Sequence, residues 1–157
     1  MDSDAAEPLM RMHHIGVVVP DLDKAADRYV SRFGYLVVTS KIHDPAQTAF
    51  VQFLRLPGDR ACLELVSPDR ANSKLSHALS SSVPLNHVCM ATSNIEKSFR
   101  HLRANGMMAT AHPTPAVAFN NARIAWLMGT DRLLTELVAQ RFIGEWSDER
   151  WFENSAI

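Results

Sequence analysis

The sequence is short of everything that would mark a secreted, membrane-spanning or nucleic-acid-binding chain. It has two cysteines in 157 residues, Cys62 and Cys89, too few for a disulfide framework, so reduced thiols are expected. No apolar run reaches the roughly 18 residues that span a bilayer. Net charge is -1, from 16 basic and 17 acidic residues, which gives no field to gather nucleic acid or an anionic membrane. The opening MDSDAAEPLMRM is acidic and polar where a secretory signal is basic and then apolar. These absences describe a cytoplasmic protein with a loose leader over residues 1–11. What is present is globular: 46% hydrophobic and 21% charged residues, enough for one compact unit or two small modules on a shared core.

The chain repeats itself. The stretch 14-HIGVVVPDLDKAADRYVSRFG-34 and the stretch 87-HVCMATSNIEKSFRHLRANG-106 each open on histidine, run through apolar residues, turn at Asp or Asn, and end a helical pattern at glycine. His14 and His87 are 73 apart, Gly34 and Gly106 72 apart, so one residue has been lost between these landmarks. Further on, 50-FVQFLRLPGDRACLELV-66 aligns without a gap on 122-ARIAWLMGTDRLLTELV-138. Asp59/Asp131, Arg60/Arg132, Glu64/Glu136, Leu65/Leu137 and Val66/Val138 are identical there at the same offset of 72. Five identities in one ungapped block of 17 mark a duplicated module.

Each copy reads as strand, helix, then three strands. In the first, alternation over 12–19 puts His14, Gly16 and Val18 on one face. Pro20-Asp21 breaks the strand, and Leu22, Ala26, Tyr29, Val30 and Phe33 keep helical spacing up to Gly34. Strands follow at about 35–41, 48–56 and 60–66, and in the second copy at about 107–112, 121–128 and 132–139, with hairpin turns at Pro57-Gly58-Asp59 and Gly129-Thr130-Asp131. The modules are thus 12–66 and 85–139, joined by a linker over 67–84 with a short helix near 72–80. A tail over 140–157 carries Trp146, Trp151 and Phe152 and is expected to pack on the body or on a second subunit.

Symmetry singles out four residues: His14 and His87 in the first strands, Glu64 and Glu136 in the last. Each glutamate sits in an otherwise apolar strand, where a carboxylate without a partner is costly. One such histidine is ordinarily a satisfied core residue, and one such glutamate ordinarily faces solvent. The recurrence of both weakens the bland readings and suggests a cation between them. Two imidazoles and two carboxylates suit a divalent transition metal, Zn, Ni, Co, Mn or Fe, without choosing among them. In an octahedral shell they leave two adjacent positions for a chelating substrate.

The runs 13-HHIGVVVPDLDKA-25, 85-LNHVCMATSNIEKSF-99 and 132-RLLTELV-138, in this order and spacing, resemble the vicinal oxygen chelate (glyoxalase/bleomycin resistance/dioxygenase) superfamily, and within it the methylmalonyl-CoA epimerase-like proteins. The resemblance covers about 12–139. It implies an α+β fold in which two tandem βαβββ modules form a cup-shaped mixed sheet around a metal site, with helices outside. It also favours His14 over His13 as the ligand. The activity it implies is that of a metal-dependent isomerase or epimerase. Such an enzyme removes a proton next to a carbonyl, of a CoA or carrier-protein thioester, and works as a homodimer without nucleic acid or membrane.

One departure stands out. Epimerase relatives carry a catalytic glutamate immediately before a glutamine, whereas 43-HDPAQTAF-50 keeps Gln47 but has Ala46 in the glutamate position. Three repairs are open. Glu64 and Glu136 can act as a symmetric pair, a set similar to that of glyoxalase I. His43 or Asp44 can supply the proton, although Asp44-Pro45 also reads as an ordinary turn. Or a one-base reaction needs only Glu136. Gln47 and Cys89 are the expected substrate contacts, with Arg55, Arg60, Arg70, Lys74, Arg123 and Arg132 available for a phosphate-bearing arm. A glyoxalase I-like lyase or isomerase and a non-catalytic, antibiotic-binding protein on the same scaffold are the alternatives. Four retained ligands speak against the binder, and Ala46 speaks for it.

Overall fold

The computed structural model describes residues 10–140. Apart from residues 10, 11 and 140, the leader and the tail with Trp146, Trp151 and Phe152 lie outside them. In the first module β1 (Arg11–Val18) leads to α1 (Leu22–Phe33), β2 (Leu36–Val37), β3 (Ile42–Asp44), β4 (Ala49–Arg55) and β5 (Cys62–Pro68). A short α2 (Ser76–Ser80) bridges to the second module. That module holds β6 (Leu85–Thr92), α3 (Ile95–Ala104), β7 (Met108–Pro115), a 3-10 turn (Val117–Phe119), β8 (Arg123–Met128) and β9 (Leu134–Ala139).

The helices start where the sequence offers caps. Asp21 accepts the Lys24 N–H at 3.1 Å, and Asn94, at the equivalent place, accepts that of Lys97 at 2.9 Å. Each such cap is worth about 1 kcal/mol. Gly34 closes α1 in the left-handed conformation, φ 77°. In the second module Asn105 caps the helix and Gly106, φ 91°, follows it.

All nine strands described join one mixed sheet in the order β2-β4-β5-β1-β6-β9-β8-β7, with β3 also on β4. This is one strand more than the sequence implies, because the run expected at 35–41 is interrupted. The Val38 and Thr39 amides both point at the Phe53 carbonyl, and the Thr39 hydroxyl takes the Phe53 N–H that a ladder carbonyl would have taken. Within each module the first and last strands run parallel, β1 on β5 and β6 on β9. The modules join within the chain through the antiparallel pair β1–β6.

Every residue from Cys62 to Ser67 is buried, which explains the continuous apolar run. Leu63 and Leu65 pack outward with Leu54 against Leu22, Ala25 and Ala26 of α1. Cys62 and Val66 face inward with Phe53, Phe119 and Ile124. On the second module Leu127 and Leu137 pack against Ile95 and Phe99 of α3. Glu64, between Leu63 and Leu65, therefore points to the inner face, not to solvent. No helix among the described residues is long and apolar enough to cross a membrane.

Candidate metal centre

The four central strands, β5-β1-β6-β9, each present one of the four residues singled out by symmetry. Their register is symmetric too. Glu64 lies opposite Gly16, two residues after His14, and Glu136 lies opposite Cys89, two residues after His87. Across the seam His14 faces Cys89 and Gly16 faces His87.

Four donor atoms converge there. His14 Nε2 and His87 Nε2 are 2.9 Å apart. Glu64 Oε2 lies 3.3 Å from His14 Nε2 and 3.1 Å from His87 Nε2. Glu136 Oε2 lies 3.2 Å and 3.6 Å from the same two atoms. Neighbouring donors bound at about 2.1 Å to one ion stand about 3.0 Å apart in an octahedron and about 3.4 Å in a tetrahedron. His14, Glu64 and His87 bring donor atoms within 4.8 Å of one another, a spacing and N/O chemistry that fit a divalent transition metal, and Glu136 stands beside both imidazoles. All four side chains are buried, and two carboxylates would be costly there with nothing cationic between them.

Aromatic rings hold the imidazoles. His14 stacks on Phe119 at 5.9 Å and meets the edge of Phe53, while His87 meets Trp126 edge-on at 4.9 Å. Gly16 makes the approach possible, since a Cβ there would sit 2.1 Å from the His87 ring. Sequence reasoning placed Gly16 on the right face without giving it this role.

Without metal, protons take the cation's part. Burial works against a charged His14, but Glu64 and Glu136 outweigh it and raise its pKa from 6.5 to about 9. Burial likewise opposes ionised Glu64, yet the His14 and His87 rings hold its pKa well below the ordinary 4.5. A group whose folded pKa is raised stabilises the fold fully below its unfolded value and loses that contribution as pH climbs through the folded value. The His14 shift corresponds to roughly 3 kcal/mol. Chelator-treated protein is therefore expected to be most stable between about pH 4.5 and 6.5 and to lose about that much by pH 9 or above. Denaturant titration at pH 6 and pH 9.5 checks this, and equal stabilities would refute the proton-filled arrangement.

A cleft of about 420 Å3 opens onto the centre, and Glu64, His87 and Glu136 line it. So do Gln47, Asp44 and the exposed Lys74. Asp44 is buried and accepts the Gln47 N–H at 3.2 Å, so the turn reading and a place in the cleft hold together for it. Two of the expected residues lie outside the cleft. His43, considered as a proton donor, alternates to the other side of β3, where its ring lies tilted against Phe50, pairs with Asp69 at 3.0 Å and lines a separate cleft. Cys89, expected to touch substrate, is fully buried and does not line the cleft. Its thiol is pushed well above the ordinary range by burial and by Glu136, so it remains protonated. Cys89 does come together with His13 and His14 as a second group of possible ligands. The carboxylates lie on the Nε2 side of His14, away from the Nδ1 that meets His13, so the set built on His14, Glu64 and His87 has the oxygen donors that a divalent ion favours.

Residues 13–126 match the family model of the Glyoxalase/Bleomycin resistance protein/Dioxygenase superfamily. The chain belongs to that superfamily. A search of curated proteins finds no significant match. Among solved structures, this superfamily member is similar to methylmalonyl-CoA epimerase from Mycobacterium tuberculosis. Identity is 24% and the TM-score 0.75, over 87% of this chain and 92% of that one. A hypothetical protein from Bacillus halodurans matches at 20% identity and a TM-score of 0.76, over 88% and 99% of the two chains. A single-substitution variant of Streptomyces coelicolor methylmalonyl-CoA epimerase in complex with 2-nitronate-propionyl-CoA matches at 24% and 0.72, over 83% and 97%. At these identities the likeness establishes the fold, and the chemistry is argued from the residues.

Proposed function

We propose that this chain is a metal-dependent isomerase or epimerase of the cytoplasm, whose step is loss of a proton from the carbon next to the carbonyl of an acyl thioester. The observation that carries the reading is that Glu64 and Glu136 each stand 3.1 to 3.6 Å from the paired Nε2 atoms of His14 and His87, with Glu64, His87 and Glu136 lining one cleft. These four residues would hold the ion, which when bound supplies Lewis acidity toward a carbonyl oxygen. The rest is the work of the side chains. Val51, Val66, Ile124 and Trp126 give the cleft apolar walls that keep water from the reacting carbon. Glu64 and Glu136 come from opposite modules, so one carboxylate can take the proton while the other returns one to the opposite face. This pairing answers the absence of a carboxylate at Ala46. Gln47 and Lys74 offer donors to the acyl arm, carried on CoA or on a carrier protein. A homodimer is part of the reading.

Ala46 also favours a second reading, a non-catalytic binder of small molecules on the same scaffold. One pair of measurements separates the two. Protein purified without chelator is expected to carry about one transition metal ion per chain and to exchange the α-hydrogen of a branched acyl-CoA with deuterium from solvent. Metal without exchange would leave the binder, and no metal even after reconstitution would remove the enzyme reading.

A further inference from the structure

The seam between the modules carries two irregularities that mirror each other. On β1, Met12 pairs with Met90 and His14 with Cys89, so His13 is an extra residue in the ladder. On β6, Gly16 pairs with His87 and Val17 with Leu85, so Asn86 is the extra residue there. Each bulge falls immediately before a histidine of the centre. A bulge turns the extra side chain away from the face that strict alternation would give it. His13 is accordingly fully buried beside His14, and Asn86 lines the cleft beside His87.

The contacts complete the symmetry. His14 Nε2 faces the carboxylates while its Nδ1 meets His13 Nδ1 at 2.8 Å. His87 Nε2 faces the carboxylates while its Nδ1 meets Asn86 Oδ1 at 2.9 Å. An imidazole that gives its Nε2 lone pair to a metal must carry its proton on Nδ1. That N–H needs an acceptor, and the acceptor fixes tautomer and ring orientation. Asn86 Oδ1 can only accept. His13 Nδ1 can accept if its own proton is on Nε2.

We propose that His13 and Asn86 are positioning residues, each holding the following histidine in the Nδ1–H tautomer that directs Nε2 into the centre. The role rests on the metal reading above. A structural bulge alone would not require an acceptor in both copies. Here two chemically different side chains meet the same ring atom at nearly the same distance, one in each module.

The test is zinc affinity, measured by competition with a chromophoric chelator, for wild type, His13→Leu, His13→Asn, Asn86→Leu and Asn86→Asp. Each leucine variant is expected to bind zinc about 10- to 100-fold more weakly. His13→Asn, which copies the second module, and Asn86→Asp, which keeps the acceptor, are expected to recover most of the loss. In the zinc-loaded wild type, 15N imidazole shifts are expected to report Nε2-bound, Nδ1-protonated rings for both His14 and His87. Wild-type affinity in both leucine variants, or a ring bound through Nδ1, would overturn the role while leaving the metal site standing. Equal loss in the leucine and acceptor-keeping variants would overturn it too, as packing alone. Absence of zinc binding by wild type would overturn the metal reading and this role with it. Because Asn86 is only half-buried, its pair of variants decides the matter even if His13→Leu does not fold.

Discussion

A His14→Ala/His87→Ala double variant is expected to retain no transition metal after dialysis, whereas wild type keeps about one ion per chain. Loss of one outer acceptor costs a metal site 10- to 100-fold in affinity, and this variant removes two of four donors directly. It should also be hard to fold. With the imidazoles gone, Glu64 and Glu136 stay buried without their partners, a loss of about 3–5 kcal/mol when a buried partner is removed. Adding Glu64→Gln and Glu136→Gln is expected to restore the fold but not the metal. Elemental analysis and thermal melting of both variants separate the two effects. Metal bound at wild-type stoichiometry by the quadruple variant would show that the ion sits elsewhere.

Gly16→Ala adds a single methyl group and is expected to weaken metal binding more than 100-fold, beyond what loss of an outer acceptor does. The new Cβ would fall 2.1 Å from His87 Cε1 and 2.3 Å from its Nδ1. No carbon tolerates that contact. His87 cannot retreat along its own plane, because Trp126 stands at one edge and Asn86 holds Nδ1. The ring must leave the centre, or β1 and β6 must part at the register where they pair. Overpacking of this kind costs roughly 1–3 kcal/mol of stability as well. Zinc titration of the variant beside Val18→Ala, a buried change on the same strand that makes no such contact, checks the claim. Equal affinities in the two would refute it.

Much of this was readable before any coordinates. Duplication is visible as an offset, and an offset transfers from one copy to the other without knowledge of the fold, so the four donors stood out together. The caps at Asp21 and Asn94 were legible for a similar reason, as local chemistry within one turn. What the sequence hid depends on the ladder. Strict alternation sends His13 outward, and only a bulge, a matter of register between strands some 75 residues apart, brings it in beside His14. His43 and Asp44 differ by one step of the same alternation: on a three-residue strand, Asp44 faces the cleft and its neighbour does not. Gly16 says nothing by itself, because its value lies in a ring on another strand.

The antiparallel pairing of β1 with β6 has a kinetic meaning. Taken alone, each module would end at the seam in a strand with an unpaired edge, β1 in one and β6 in the other, and each carries only half of the donors. Were the halves separate chains, assembling the centre would be a bimolecular event, sensitive to dilution and open to mispairing. Joined by a short linker, the second half meets the first at an effective concentration in the millimolar range, whatever the cellular amount of protein. The tether makes completion of the site a first-order step in folding.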